Sequence, residues 1–283
     1  MFKYRYAVSI PPLGMIDDMA AIAKCGPESV ILNSIINAKI NMKKLTFNQT
    51  KCKKLHISKE NKKTCENSVK SGNNIRNVRC VFLEVQDCEM KSADEEKYIG
   101  DVISSSGTND ANISRRRSLG MGAISQIFSV LGEVSLGYHF VETGLILRES
   151  TLLSKMLLSS ESWHKLFQYQ IEKLEEVDNT FFRKLLNCHS KTGIEFLFSE
   201  TGTIPIKIKI RCRRLMYWWH ILNVEETEMI NKVYRAQKLS PVSGDWVLLL
   251  EEDKQMFNIK MADDEVKAVS KYKFTNFVKK RVK

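Results

Sequence analysis

Past Ser104-Ser105-Ser106-Gly107-Thr108 the apolar residues of this chain change from strand-like to helical spacing, and they do not change back. That switch divides the chain into an N-terminal part with short strands and a C-terminal part of helices packed on helices, an α+β chain overall. Asn109 to Val134, Tyr138 to Leu158, Leu166 to Leu186, Ile204 to Asn223, Glu226 to Leu239, Gly244 to Phe257 and Asp264 to Val282 all suit helices, separated by Gly, Pro or Ser clusters. The first carries Gly120, Gly122 and Gly132, and a glycine inside a helix costs about 1 kcal/mol against Ala. Small residues there would let it lie close against a backbone or a duplex.

Before the switch, the most unusual stretch runs from Pro11 to Ala23, where apolar residues flank the adjacent carboxylates Asp17 and Asp18 with no positive partner within four residues. Two like charges so close repel, and a hard divalent cation such as Mg²⁺ beside them relieves the repulsion. An ordinary polar turn shows the same dipeptide, and the chain has a second pair, Asp263-Asp264, in a setting that reads as solvated. Tyr4 to Ile10 and Leu13 to Ala23 read as strands. Gly26-Pro27-Glu28 opens a helix, with Pro in its first turn and Glu near its positive end. Ile31, Ile35, Ala38 and Met42 step along that helix at spacings of three and four, the face expected to pack under a sheet. Leu45, Phe47, Leu55 and Ile57 return as strands, residues 58 to 77 read as a polar loop, and Val81 to Val85 and Tyr98 to Ile103 read as two more strands joined across Asp94-Glu95.

The formal charge is +11, and it is concentrated. Between Lys39 and Arg79 twelve Lys/Arg face only Glu60 and Glu66, and from Val266 to Lys283 there are seven Lys/Arg and no acid. Two basic regions on a mildly acidic body point to a polyanion, because neutralised phosphates release counterions. A Lys-rich surface kept for solubility is the rival. The seven cysteines are widely spread with no Cys-x-x-Cys spacing, so neither a zinc site nor a disulfide framework is expected. No run approaches the apolar length of a membrane span, and the N-terminus lacks the apolar core of a signal peptide, so the chain reads as intracellular with no membrane partner. No P-loop, dinucleotide fingerprint or hydrolase triad is visible.

Several words in order resemble one family. Met15-Ile16-Asp17-Asp18 resembles motif C of reverse transcriptases, with Met15 where an aromatic is usual. Leu45-Thr46-Phe47-Asn48-Gln49-Thr50-Lys51-Cys52-Lys53 resembles motif D, and Glu96-Lys97-Tyr98-Ile99-Gly100-Asp101-Val102-Ile103 resembles motif E. Ile204-Pro205-Ile206 to Trp219-His220 is similar to a segment near the end of LINE-type non-LTR retrotransposon polymerases. The likeness covers residues from about 8 to 257 and begins in the middle of the polymerase.

The resemblance implies the end of a polymerase palm, made of β-hairpins and a helix, then a helical thumb and connector. The corresponding divisions are residues 1–57 with motifs C and D, a basic loop at 58–78, the motif E region at 79–107, a thumb at 108–190 and a connector with a basic tail at 191–283. It implies Asp17 and Asp18 as catalytic residues and Mg²⁺ ligands, and Lys51, with Lys53 as second choice, beside the leaving pyrophosphate. It further implies Tyr98, Ile99 and Gly100 at the primer end. The third carboxylate, from motif A, and the fingers find no counterpart before Met1. The expected protein is therefore a fragment of an RNA-directed DNA polymerase that binds RNA or DNA by non-specific phosphate contacts and is inactive alone. The alternative is a non-enzymatic nucleic-acid-binding helical protein.

Two further stretches could meet nucleic acid. Arg115-Arg116-Arg117 is spread over most of a helix circumference, so some of the three must face out. Arg211, Arg213 and Arg214 are interleaved with Tyr217, Trp218 and Trp219, a mixture that can hold phosphates and stack bases. The spacing of Ile206, Ile210, Arg213 and Tyr217, and of Ile208, Leu215 and Trp219, equally suits a helix buried in a core.

Overall fold

A computed structural model describes residues 13–15, 18–20, 22, 26–42, 52–55, 57, 84–85, 88–89, 91–133 and 139–282. These are mostly helical with a few short strands, compatible with an α+β class. They fall into two compact units divided between Ala111 and Asn112.

In the N-terminal unit, strands β1 (Leu13–Met15) and β2 (Asp18–Ala20) form an antiparallel pair in which Met15 stands opposite Asp18. Helix α1 spans Gly26–Met42. Its Ile31, Ile35, Ala38 and Met42 are exposed, while Leu32, Asn33, Ile36 and Asn37 are half-buried, so the helix presents the face opposite to the expected one. The helix is apolar on several sides, and Leu32 and Ile36 make an alternative stripe at the same spacing as Ile31 and Ile35.

Strand β3 (Lys53–Leu55) runs parallel to β6 (Lys91–Ala93), and β4 (Glu84–Val85) pairs with β5 (Cys88–Glu89). Strands β7 (Glu95–Tyr98) and β8 (Asp101–Ser104) form a hairpin in which Tyr98 stands opposite Asp101. Its turn is Ile99-Gly100, not Asp94-Glu95, and Tyr98 to Ile103 is two strands with a reversal between them. Both turn residues have positive φ, +46° and +88°, as a two-residue turn matched to strand twist requires. Gly100 supplies that conformation freely, whereas a β-branched residue in it is strained. The strands expected at Tyr4 to Ile10, Leu45 to Phe47 and Val81 to Leu83, and the polar loop from 58 to 77, lie outside the described residues.

Among its described residues the C-terminal unit has helices and no strand. It contains α2 (Asp110–Glu133), α3 (Phe140–Leu147), a π-helical segment (Arg148–Leu152), α4 (Leu153–Met156), a 3₁₀ turn (Ser160–Ser162) and α5 (Gln168–Leu185). There follow α6 (Ile194–Thr201), α7 (Ile206–Asn223), α8 (Met229–Leu239), α9 (Trp246–Met256), α10 (Asp263–Ala268) and α11 (Lys271–Val282). Six of the seven expected helices from Asn109 onward occupy their expected stretches, the second with a π turn in its middle. The seventh is two helices, α10 and α11, separated at Val269-Ser270. Helix α6 has no counterpart among the helices expected from the sequence, although Gly193 before it and left-handed Gly202 after it bracket an apolar run.

Two apolar cores hold this unit together. One gathers Ile113, Ile124 and Ile127 of α2, Met156, Trp163, and Leu174, Val177, Phe181 and Phe182 of α5. The other gathers Tyr234 of α8, Leu250 of α9, Val266 of α10, and Phe274 and Val278 of α11. Helix α7 belongs to both: Ile206 and Ile210 enter the first core, and Leu215, Trp218 and Ile221 the second. Burying one large apolar side chain stabilises by about 1.5–3 kcal/mol, so α7 fastens both cores along one rod. Gly120 is buried where a Cβ would stand 2.9 Å from Val177 and 3.2 Å from the sulfur of Met156, so the close approach it allows is to helices. Gly122 and Gly132 face open space.

Candidate nucleic-acid interface

Asp18 ends the β1–β2 ladder, and Asp17 and Lys51 lie outside the described residues. The donor set offered by Asp17 and Asp18 is chemically suited to Mg²⁺, which takes carboxylate oxygens, but two carboxylates leave most of six positions to be filled from elsewhere. Among the described residues no group of three or more His, Cys, Asp or Glu is arranged to hold a metal ion.

Lys53, on β3, forms an ion pair with Glu96 on β7 at 2.7 Å. Tyr98 and Gly100 are half-buried and Ile99 is 45% exposed, so the Tyr98-Ile99-Gly100 triplet forms the hairpin's end with an apolar side chain outermost.

The arginine triplets are held by the protein itself. Arg116 is buried and donates from Nη1 to the carbonyl of Lys155 at 3.2 Å, and Arg117 makes two hydrogen bonds to Glu176 across α2 and α5. Arg115 is half-buried on the same helix. On α7, Arg211 and Arg214 converge on one carboxylate, donating to Oδ1 and Oδ2 of Asp253 at 2.6 and 2.7 Å. Arg213 donates to the carbonyl of Leu157 at 2.6 Å. Burial holds the Asp253 carboxyl above its usual range even with two guanidiniums on it, and burial lowers Arg214. A buried charge without its partner costs several kcal/mol, so Arg214 and Asp253 are part of the fold before they are anything else. The aromatic residues among them are likewise committed: Trp218 lies fully buried edge-on to Phe274, and Trp219 donates to the carbonyl of Val269 at 2.7 Å.

Asp263 is not the solvated acid its sequence suggests. It accepts from Trp218 at 3.2 Å, from Tyr234 at 3.0 Å and from Lys238, tying α7, α8 and the start of α10 together. Burial works against its charge, but these donors outweigh it and hold the carboxyl below its usual value. The partners of Asp253 and Asp263 lie on other helices, at separations sequence spacing does not reveal. No helix among the described residues is long and apolar enough to cross a membrane. Comparisons with family models, with curated proteins and with solved structures found no match.

Proposed function

We propose that this chain belongs to the RNA-directed DNA polymerase lineage of non-LTR retrotransposons and holds RNA or DNA by contacts to the phosphate backbone. The observation that supports this reading is the β7–β8 hairpin, whose tip is the Tyr98-Ile99-Gly100 triplet that motif E would present to a primer end. The Asp18 hairpin precedes it and a helical unit follows it, in the order of the polymerase motifs. Mg²⁺, when bound, would align an attacking 3′ oxygen with a triphosphate. Asp17 and Asp18 would be two of its ligands. A third carboxylate of the motif A kind has no recognised counterpart in these residues, so this chain alone is not expected to polymerise.

The test has two arms. With Mg²⁺ or Mn²⁺ on a primed RNA template, the purified chain should add no nucleotide; template-dependent incorporation lost in Asp17→Ala would mean the site is complete. Affinity for a primer–template should fall with salt at a log–log slope of about −3 or steeper, since each phosphate contact contributes. An affinity indifferent to salt would remove the nucleic-acid reading. A non-enzymatic nucleic-acid-binding protein is the second reading, favoured by the helical unit burying its own two cores. It predicts no preference for a recessed 3′ end over a plain single strand.

A further inference from the structure

Most arginines of the helical unit are held by internal partners, whereas among the described residues several lysines of α11 are not. Helix α11 buries Phe274 and Val278 against α7, and Thr275 reaches the sulfur of Met216 at 3.7 Å. Its inward face is therefore covered. At 100° per residue, the direction opposite Phe274 and Val278 is occupied by Tyr272, Lys273, Asn276, Lys279 and Lys280. The three lysines are exposed, and Tyr272 is the most exposed large hydrophobic side chain among the described residues, at 77%. Among the described residues Lys273, Lys279 and Lys280 enter no ion pair, in contrast to Arg117, Arg148, Arg211 and Arg214.

We propose that the outward face of α11 is a docking surface for a single-stranded nucleic acid, with Lys273, Lys279 and Lys280 on successive phosphates and Tyr272 stacked on a base. Lys273 and Lys280 are two helical turns apart, about 10 Å along the axis, a span of a few nucleotides. Tyr272 and Lys279 repeat that separation on the adjacent row. A row of cations beside an exposed aromatic is a combination that tracks a strand without reading its sequence, and Asn276, half-buried between the rows, adds a hydrogen-bonding group. An anionic membrane surface would also attract the lysines. It would be served by an outward apolar face, whereas the apolar side of α11 is turned into the core. The proposal rests on the reading of the chain as a nucleic-acid binder and is independent of polymerisation.

The experiment uses the full chain, fluorescein-labelled oligothymidine and a salt titration. Three proteins are compared: wild type, the triple variant Lys273→Gln/Lys279→Gln/Lys280→Gln, and Tyr272→Ala. These side chains are exposed, so thermal melts should be unchanged in all three. The triple variant should lose about 2 from the salt slope, close to 0.7 for each single-strand phosphate contact. Tyr272→Ala should weaken binding about tenfold, the worth of one stacked base, with the slope unaltered. If wild type binds and the triple variant matches it in affinity and slope, the α11 assignment is wrong while nucleic-acid binding stands through the other basic region. If wild type does not bind at low salt, both readings fall. If phosphatidylserine vesicles retain the chain through the same lysines and the oligonucleotide does not, the surface is a membrane contact and the proposal is overturned.

Discussion

Arg148 and Asp178 meet fork to fork inside the helical unit, Nε to Oδ1 at 2.7 Å and Nη2 to Oδ2 at 2.6 Å, with 0% and 1% of their side chains exposed. The guanidinium also lies 4.6 Å from the ring centroid of Phe182 and reaches Glu149 at 2.7 Å. Desolvating two ions is expensive, and the pair is tolerated because their hydrogen bonds are directed at each other. Asp178→Ala, which strands the arginine, should therefore cost about 3–5 kcal/mol in urea denaturation followed by tryptophan fluorescence. Replacing both, Arg148→Met with Asp178→Leu, should recover most of that loss. A single-variant cost under about 1 kcal/mol would mean that water reaches the pair.

Ile99 should be replaceable at a gain. A β-branched residue held at φ +46° carries strain of about 1–2 kcal/mol, and Ile99→Asn would give the Asn-Gly sequence favoured at this turn. The variant should stabilise the N-terminal unit by about 1 kcal/mol, read by hydrogen exchange of the Glu95–Ser104 amides. If Ile99 meets a primer, the same variant should bind primer–template more weakly. Unchanged protection at these amides would show that the turn stores no strain.

Asp263 should make the helical unit sensitive to acid. Its folded-state carboxyl is held below its usual value, so its contribution is complete above the unfolded value of about 4 and is lost as pH falls through the lower folded value. The urea midpoint should drop between about pH 5 and pH 2. Asp263→Asn should start lower at neutral pH and show a shallower drop. A variant with the wild-type acid profile would assign the transition to other carboxylates.

Cys212 should be slow to alkylate. Burial, with Asp253 adding to it, pushes its thiol up to about 11. At about pH 8 only about a thousandth is thiolate, the form that reacts. Site-resolved mass spectrometry after iodoacetamide should find Cys188 modified well before Cys212. Cys188 and Cys212 are both half-buried, so equal rates in the folded chain would contradict the raised value of the Cys212 thiol.

The helical half was legible because its apolar residues repeat at one period over long stretches, and α5 and α7 keep close to their expected limits. Partnership was not legible. Nothing near Arg211 and Arg214 in sequence announces Asp253, and an acid next to Asp264 gives no sign that Asp263 will collect Trp218, Tyr234 and Lys238. The same mixture of arginine and aromatic that reads as a nucleic-acid surface is what a helix shared by two cores looks like when its charges are neutralised from other helices. The α1 stripe failed for a related reason: with apolar residues on several sides, periodicity does not choose the inward one. In the β7–β8 hairpin, the Tyr98-Ile99-Gly100 stretch stands at the tip, with Ile99 and Gly100 making the turn. The reversal itself was missed because isoleucine is a poor turn former and hid it.

The π-helical segment between α3 and α4 marks a place where the chain has one residue more than an α-helix would need. The Leu153 amide reaches back five residues to the carbonyl of Arg148, and the widened turn absorbs the surplus while Gly144 before it and Leu153 and Met156 after it remain buried. Removing one exposed residue there, such as Ser150, would let the ladder close as regular α-helix with both flanks still in phase. A deletion in the middle of α5 would instead turn every later side chain about 100° away from its partners. Length variation in this unit is thus best absorbed at residues 149–151, beside the most completely buried ion pair that the structure describes.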